Sequence, residues 1–150
     1  MDNCEKATAI GVDQSDDTLK TALVNAQELG LANRFSILKS NWVENVKGKF
    51  NIILSNPPYI AKKELSQLPI EVLKHDPLYA LDGGESGLDA YHILARDIPM
   101  ILAPEGIVGV EIGWKQARAV NSIFEKRGFR NILKRRDLSG NDRVLLFKYQ

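Results

Sequence analysis

The sequence predicts an α/β fold in a single domain, on three observations. Short apolar, β-branched runs alternate with helical patterns along most of the chain, which is typical of a mostly parallel sheet covered by helices on both faces. Only "DLSGND" separates the last two strand candidates, which is too short for a crossover, so they are expected to form an antiparallel hairpin. The 150 residues, of which 44% are hydrophobic, are enough for one domain with its own core.

The first part of the chain predicts a strand, a helix and two further strands. Thr8–Asp13 has the pattern of a short buried strand that ends in an acid. Ser15 is a good N-cap, apolar residues then recur at helical spacing, and Gly30 is a natural stop. The runs "RFSILKS" and "FNIILS" are short and β-branched, which favours strands over helices.

The remainder begins irregularly and returns to alternation. Prolines interrupt the segment after "NPPY", which leaves room for short helical turns only. The expected elements are, in order, a helical turn or two in 62–73, a loop at "LDGGESG", a helix from Leu88 that Pro99 kinks or ends, a buried strand at Glu105–Ile112, an amphipathic helix at Trp114–Arg127, and strands near Phe129–Arg136 and Arg143–Tyr149.

Composition narrows the classes of function. A net charge of +1 provides no basic field for non-specific nucleic-acid binding, although Lys134–Arg136 form a small basic run. A single cysteine, Cys4, fits a reducing cytoplasm. The sequence has no apolar run of about 18 residues and no secretory signal pattern, which argues against membrane association. His75 and His92 have no partners at ligand spacing, so we expect no metal site.

Two positions near the first strands are candidate ligand contacts. Asp13 follows a predicted parallel strand, where a carboxylate can accept hydrogen bonds from both ribose hydroxyls; alternatively it caps the following helix. Asn41 and Trp42 follow the next strand and could place an amide or an indole beside an adenine ring. Without context, a Trp that covers the edge of the sheet is the better interpretation of Trp42.

The stretch "NPPY", Asn56–Tyr59, has residue types that one kind of chemistry explains. Methylating an amide or aromatic amine requires the NH2 group to be held with its lone pair aimed at the methyl. The Asn56 side-chain carbonyl and the Pro57 backbone carbonyl can accept its two N–H bonds, and the two prolines keep these acceptors fixed. Tyr59 offers a flat face to the planar target group. A simple strand-ending turn explains only the prolines, Pro57 and Pro58.

With the flanking motifs, the chain resembles the HemK/PrmC family of protein-(glutamine-N5) methyltransferases. The motifs are "FNIILSNPPYI", "DPLYALDGGESGLDAY", "EIGWKQ" and "DLSGNDRVLLFKY". The resemblance implies a Rossmann-like class I S-adenosylmethionine-dependent methyltransferase fold and, as substrate, the glutamine in the Gly-Gly-Gln loop of peptide-chain release factors. It implies that Asp13 binds the cofactor ribose, that Trp42 and Asn41 lie by the adenine, and that Asn56–Tyr59 hold the substrate amide, with Asn56 also near the cofactor.

The chain departs from the family pattern in three ways. Asn41 stands where the family usually carries an acid, and Asp76 replaces a Glu before Pro77. The family carries an N-terminal helical domain, a first strand and a glycine-rich "GxGxG" loop, for which we expect no counterpart here. None of the eleven glycines of this chain forms that glycine fingerprint. We therefore expect residues 1–150 to form a partial methyltransferase catalytic domain, truncated at the N-terminus, in which the first central strand is missing.

A missing central strand predicts two open sheet edges, at Thr8–Asp13 and Phe50–Ser55. Direct pairing of these strands, recruitment of "NCEKAT", or self-association with a second chain would cover them.

Three other functions fit parts of the sequence. Adenine-N6 and guanine-N2 nucleic-acid methyltransferases share "[DN]PP[YFW]", but the chain has neither a basic field nor a target-recognition domain. A non-catalytic remnant fits the absent glycine loop. A dinucleotide-dependent oxidoreductase fits Asp13, but it requires a glycine fingerprint of its own and leaves "NPPY" unexplained.

Overall fold

The computed structural model of the chain describes residues 4–150. These residues form two compact units, which divide after Gly48. No helix in the described part of the chain is long and apolar enough to cross a bilayer.

The first unit is a strand–helix–strand motif. Its strands β1 (Ala9–Asp13) and β2 (Phe35–Lys39) are parallel and are joined by the helix α1 (Asp16–Glu28) and a 3-10 turn at Ala32–Arg34. Ser15 caps the helix by accepting the Thr18 N–H, and Gly30 follows its end with a φ of 68°. The predicted elements are confirmed here, but β1 is less buried than expected, because Ile10 and Val12 are each 39% exposed.

The second unit is a four-stranded mixed sheet with helices. Its strands are β3 (Phe50–Ser55), β4 (Leu102–Glu111), β5 (Phe129–Arg136) and β6 (Asp142–Tyr149), and its helices are α2 (Lys62–Leu65), α3 (Ile70–His75), α4 (Leu78–Leu81), α5 (Asp89–Asp97) and α6 (Ala117–Glu125). The strand order is β3-β4-β6-β5. β3 and β4 are parallel, whereas β6 is antiparallel to both of its neighbours, which confirms the predicted hairpin.

The core of this unit lies between α5, α6 and the sheet. Tyr91, Val108, Val110 and Ile112 are fully buried, and the rings of Phe124 and Phe147 stack with their centroids 4.3 Å apart. β4 is buried as predicted, but it begins three residues earlier. An irregularity near Pro104, where Glu105 has a φ of 59°, allows a proline to lie inside the strand.

One helical prediction required correction, and one short helix was not predicted. α6 begins at Ala117 and not at Trp114, because Trp114–Gln116 form a turn that Gln116 closes through its own side chain. The helical turn or two expected in 62–73 are confirmed as α2 and the start of α3, whereas the short helix α4 was not predicted. α5 ends before Pro99 as predicted, and a 3-10 turn, Ile98–Met100, follows it.

The predicted open edges are present in each sheet. β3 is an edge strand of its sheet, and β1 pairs only with β2 within the described residues. Recruitment of "NCEKAT" is not seen, since the part described, 4–8, forms a turn and coil, and Asn3 lies outside the described residues.

Candidate active site

Asp13 lies at the carboxyl end of β1, as predicted. Its Oδ1 accepts the Ser15 backbone N–H at 2.7 Å, which helps to fix the start of α1. The capping role that was the alternative interpretation is therefore present. It occupies only one oxygen: Oδ2 takes no hydrogen bond from the described residues. The half-buried carboxylate thus keeps one oxygen for a ligand.

A tight turn after β2 presents Trp42. The Trp42 backbone has a φ of 52°, a left-handed conformation that costs about 1–2 kcal/mol for a residue with a bulky side chain. The turn is held by buried Ser40, whose N–H donates to the Asp13 carbonyl at 3.1 Å and whose Oγ accepts the Asn45 N–H at 3.0 Å. The indole is half-buried, so it does not form the fully buried cover that was the alternative.

Asn41 precedes Trp42 on the same turn. Its Nδ2 donates to the Glu44 carboxylate at 2.8 Å. This bond fixes the orientation of the amide and leaves Oδ1 as the acceptor that faces solvent. The carboxylate next to this turn therefore belongs to Glu44, whereas the resemblance led us to compare position 41 with an acid.

The stretch Asn56–Tyr59 follows the carboxyl end of β3. Ser55 is in register with Val110 of the parallel neighbour β4, so the loops after these strands start at the same edge of the sheet. Pro57 is buried and Tyr59 is half-buried, whereas the Asn56 side chain is exposed. Within the described residues nothing donates to the Asn56 carboxamide oxygen or to the Pro57 carbonyl. The two acceptors predicted from the sequence are thus available for a ligand.

Backbone pairing fixes the chain directly after Tyr59. Ile60 donates to the Leu81 carbonyl at 3.0 Å and accepts the Gly83 N–H at 2.9 Å. Lys62 then donates to the Gly84 carbonyl at 3.0 Å. The segment from residue 62 to residue 81, which contains α2–α4, is therefore anchored at both ends beside the "NPPY" stretch.

Glycines allow this close approach. A Cβ at Gly83 would lie 2.9 Å from the Pro58 oxygen and the Tyr59 Cα, and one at Gly87 would lie 2.4 Å from the Tyr59 oxygen. Gly87 also has a φ of 74°, which a residue with a side chain rarely adopts. The loop "LDGGESG" is thus a support for "NPPY" and not a free surface loop.

The turn after β4 supplies side-chain contacts to both segments. Gln116 Nε2 donates to the Tyr59 carbonyl at 2.9 Å and to the Gly87 carbonyl at 3.0 Å, and Gln116 Oε1 accepts the Gly113 N–H at 3.0 Å. The Tyr91 hydroxyl donates to the Glu111 carbonyl at 2.9 Å. Burial, reinforced by the nearby Tyr59, raises the pKa of the Tyr91 phenol well above its ordinary value, so it remains a hydrogen-bond donor.

The residues predicted as ligand contacts lie at the ends of strands, and the side chains that hold these segments in place were not predicted. Asp13, Asn41 and Trp42 lie in the first unit at the ends of β1 and β2, and Asn56–Tyr59 lie in the second unit after β3. No role was predicted for Ser40 or Gln116. "EIGWKQ" contained Gln116, but its contacts join distant parts of the chain and leave no local pattern.

Comparison with known proteins relates this chain to methyltransferases. The family model described as "Methyltransferase small domain" matches residues 1–85. A release factor glutamine methyltransferase of Agrobacterium fabrum is 46% identical over 99% of this chain and 51% of its own length. One of Rhodospirillum rubrum is 43% identical over 93% of this chain and 43% of its own length. The resemblance inferred from the motifs is therefore confirmed, and the chain spans about half the length of these curated relatives.

A solved structure confirms the fold. The ribosomal protein L11 methylase of Lactobacillus delbrueckii subsp. bulgaricus superimposes with a TM-score of 0.66 at 19% identity, over 95% of this chain and 58% of its own. At that identity the likeness shows the class I methyltransferase architecture alone.

Proposed function

The chain belongs to the methyltransferase small domain family, and we propose that it is the catalytic portion of an enzyme that methylates the glutamine amide in the Gly-Gly-Gln loop of peptide-chain release factors. The observation that carries the proposal is the pair of free acceptors at Asn56 and Pro57, in a chain whose relatives at 46% and 43% identity are named release factor glutamine methyltransferases. On this proposal residues 1–150 form part of a methyltransferase catalytic domain in the cytoplasm.

On this proposal S-adenosylmethionine supplies the methyl group. The hydrogen-bond acceptors and the aromatic side chain of the first unit fit this cofactor. The Oδ2 of Asp13 is open to ribose hydroxyls, the half-buried indole of Trp42 offers a face to adenine, and the Oδ1 of Asn41 can accept from an exocyclic amine. S-adenosylmethionine supplies an electrophilic methyl group when bound.

The second unit acts on the substrate by orientation. The Asn56 side-chain oxygen and the Pro57 carbonyl accept the two N–H bonds of the glutamine amide, which fixes the direction of the nitrogen lone pair. Pro57 and Pro58 lack N–H groups and have fixed φ angles, so the acceptors do not reorganise when the amide binds. Tyr59 packs its ring against the planar amide and excludes water from one side.

The test is Asn56→Ala with Asn51→Ala as the matched control, since both side chains are exposed and Asn51 lies on β3 five residues before the site. We expect N56A to reduce methyl transfer to a release factor by about 10²- to 10³-fold, the usual effect of removing one preorganised polar group. N51A should retain full activity. Tritium transfer from labelled S-adenosylmethionine measures both rates, and equal rates for the two variants would contradict the role of Asn56.

The same assay with other acceptors tests the alternatives. Transfer to DNA or ribosomal RNA, with none to release factor, would indicate a nucleic-acid methyltransferase. A folded chain that binds no S-adenosylmethionine would indicate a non-catalytic remnant.

We also propose that the chain self-associates through its open strand β3. Ile52 and Leu54 are 63% and 75% exposed on this edge strand. An edge with unpaired N–H and C=O groups and apolar side chains is a template for pairing with a second strand. The occupant that fits without further components is the β3 edge of a second copy.

A further inference from the structure

We propose that Gln116 is a positioning residue for the methyl-transfer reaction, because its carboxamide locks the "NPPY" stretch to the loop "LDGGESG". This inference rests on the proposed function for its catalytic consequence, but the lock itself stands on contacts within the second unit. Gln116 would touch neither the cofactor nor the substrate amide, and it would act through the backbone of Tyr59.

The carboxamide of Gln116 is saturated by the fold. Both N–H bonds of Nε2 are used, toward the carbonyls of Tyr59 and Gly87, and Oε1 accepts from Gly113. A rotated amide would place Oε1 against two carbonyl oxygens and Nε2 against an N–H group. The network therefore permits one orientation, and the amide can reach all three partners only from that position.

The hydrogen bonds of the Gln116 side chain lie where the backbone pairing between the two segments ends. The chain segments around Ile60 and Gly83 bond directly to each other, but the carbonyls of Tyr59 and Gly87 are both acceptors and cannot pair. Gln116 supplies the two missing donors between them. Without it two carbonyls in a half-buried site would face one another, at the cost of unsatisfied polar groups.

The turn that carries Gln116 is itself rigid. The Gln116 N–H donates to the Gly113 carbonyl at 2.9 Å while its side chain accepts the Gly113 N–H. A Cβ at Gly113 would lie 2.8 Å from Oε1, so the glycine is needed for this approach. The Tyr91 hydroxyl lies 3.4 Å from the same oxygen and helps to enclose it.

Fixing Tyr59 also fixes the acceptors before it. Two prolines separate the Tyr59 carbonyl from Asn56, and their φ angles cannot relax independently. A shift at Tyr59 is therefore passed to the Pro57 carbonyl and to the Asn56 side chain. A misplacement of about 1 Å in a reacting pair can cost about 10²-fold in rate.

The test compares Gln116→Met, which keeps the length but has no hydrogen bonds, with Arg118→Met, an exposed neighbour on α6 that makes none of these contacts. Amide hydrogen exchange is read at Ile60 and Gly83, with Val108 and Leu145 as reporters of global opening. We expect Q116M to accelerate exchange at Ile60 and Gly83 by about 10-fold or more, with Val108 and Leu145 unchanged and R118M equal to the parent chain.

Kinetic measurements then test whether the hydrogen bonds of Gln116 affect methyl transfer. If the chain methylates a release factor, Q116M should lower kcat by about 10- to 10²-fold, with the KM for S-adenosylmethionine unchanged. If the parent chain methylates nothing, the proposed function fails, while the exchange data still decide whether the lock exists.

Equal exchange at Ile60 and Gly83 in Q116M and R118M would overturn the inference, as would an equal acceleration of exchange at all four amides, which reports global opening and no local role. Should Q116M not fold, Gln116→Glu keeps the acceptor for Gly113 and replaces only the donors to Tyr59 and Gly87. It is expected to show the same local acceleration.

Discussion

Asp13 shows how one oxygen of a carboxylate can stabilise the fold while the other stays open to a ligand. One oxygen caps α1 through Ser15 at 2.7 Å, and the other takes no hydrogen bond within the described residues. A ligand that uses the second oxygen leaves the first undisturbed. Binding of a ribose at this position would therefore not destabilise the helix.

We predict that Asp13→Asn weakens S-adenosylmethionine binding by roughly 10- to 100-fold, since hydrogen bonds to a charged acceptor are lost. The amide oxygen can still accept from Ser15, so stability should be retained. Asp17→Asn, which removes an exposed acid from the first turn of α1, is the control. Isothermal titration calorimetry measures both affinities. Equal affinities, or no binding by the parent chain, would contradict the cofactor role of Asp13.

Gln116 illustrates a residue whose identity is explained only by partners far along the chain. Its contacts reach Tyr59 and Gly87, which are 57 and 29 positions away. A helical pattern passes through this position in the sequence, but satisfying two distant carbonyls takes precedence and delays the start of α6.

At the scale of elements, the loop "LDGGESG" is a structural support because its glycines pack against "NPPY". Gly87 combines a φ of 74° with a Cβ position 2.4 Å from the Tyr59 oxygen. Gly140, in the hairpin turn of the same unit, has a φ of 83° and open space around it. Substitutions at these two positions can therefore distinguish the cost of a left-handed backbone from the cost of steric overlap.

Gly87→Ala should therefore destabilise the chain more than Gly140→Ala. Each variant loses about 1–2 kcal/mol to the left-handed backbone, and G87A loses about 1–3 kcal/mol more because the methyl group overlaps the Tyr59 carbonyl. Urea unfolding followed by circular dichroism measures both free energies. A G87A variant no less stable than G140A would show that the loop accommodates the methyl group at little cost in free energy of unfolding.

At the scale of the whole molecule, the exposed apolar residues on β3 have the largest consequence. Ile52 and Leu54 lie two positions apart on β3, so their side chains share one face of the sheet, with 63% and 75% of their surface exposed. In a chain with a net charge of +1, little long-range repulsion opposes association.

We predict that Leu54→Lys abolishes concentration-dependent association, because a charge on an edge strand opposes strand addition. Leu138→Lys, which replaces an apolar residue that is fully exposed in the hairpin turn, should associate as the parent does. Sedimentation velocity over a range of concentrations provides the measurement. A parent chain that remains monomeric throughout would contradict self-association through β3.

Most helices and strands could be predicted from the amino-acid sequence alone, and the same reading proposed which groups would bind a ligand. Ser15, Gly30 and "DLSGND" predict helix and hairpin boundaries through local backbone preferences, and the residue types of "NPPY" are the basis of the proposed chemistry. Such signals act over a few residues, so they are readable without the fold. The late start of α6 and the early start of β4 were missed, since contacts from outside each segment set them.

The contacts that hold those groups in place became visible in the folded chain alone. The pairing of Ile60 with Gly83, the glycine packing at Gly87 and the bonds of Gln116 join segments that are separated by 23 or more positions in the chain. Hydrogen-bond satisfaction is a property of the folded neighbourhood and leaves no periodic trace in the sequence. The acceptors at Asn56 and Pro57 could therefore be predicted, whereas the hydrogen-bond network beside them could only be observed in the folded chain.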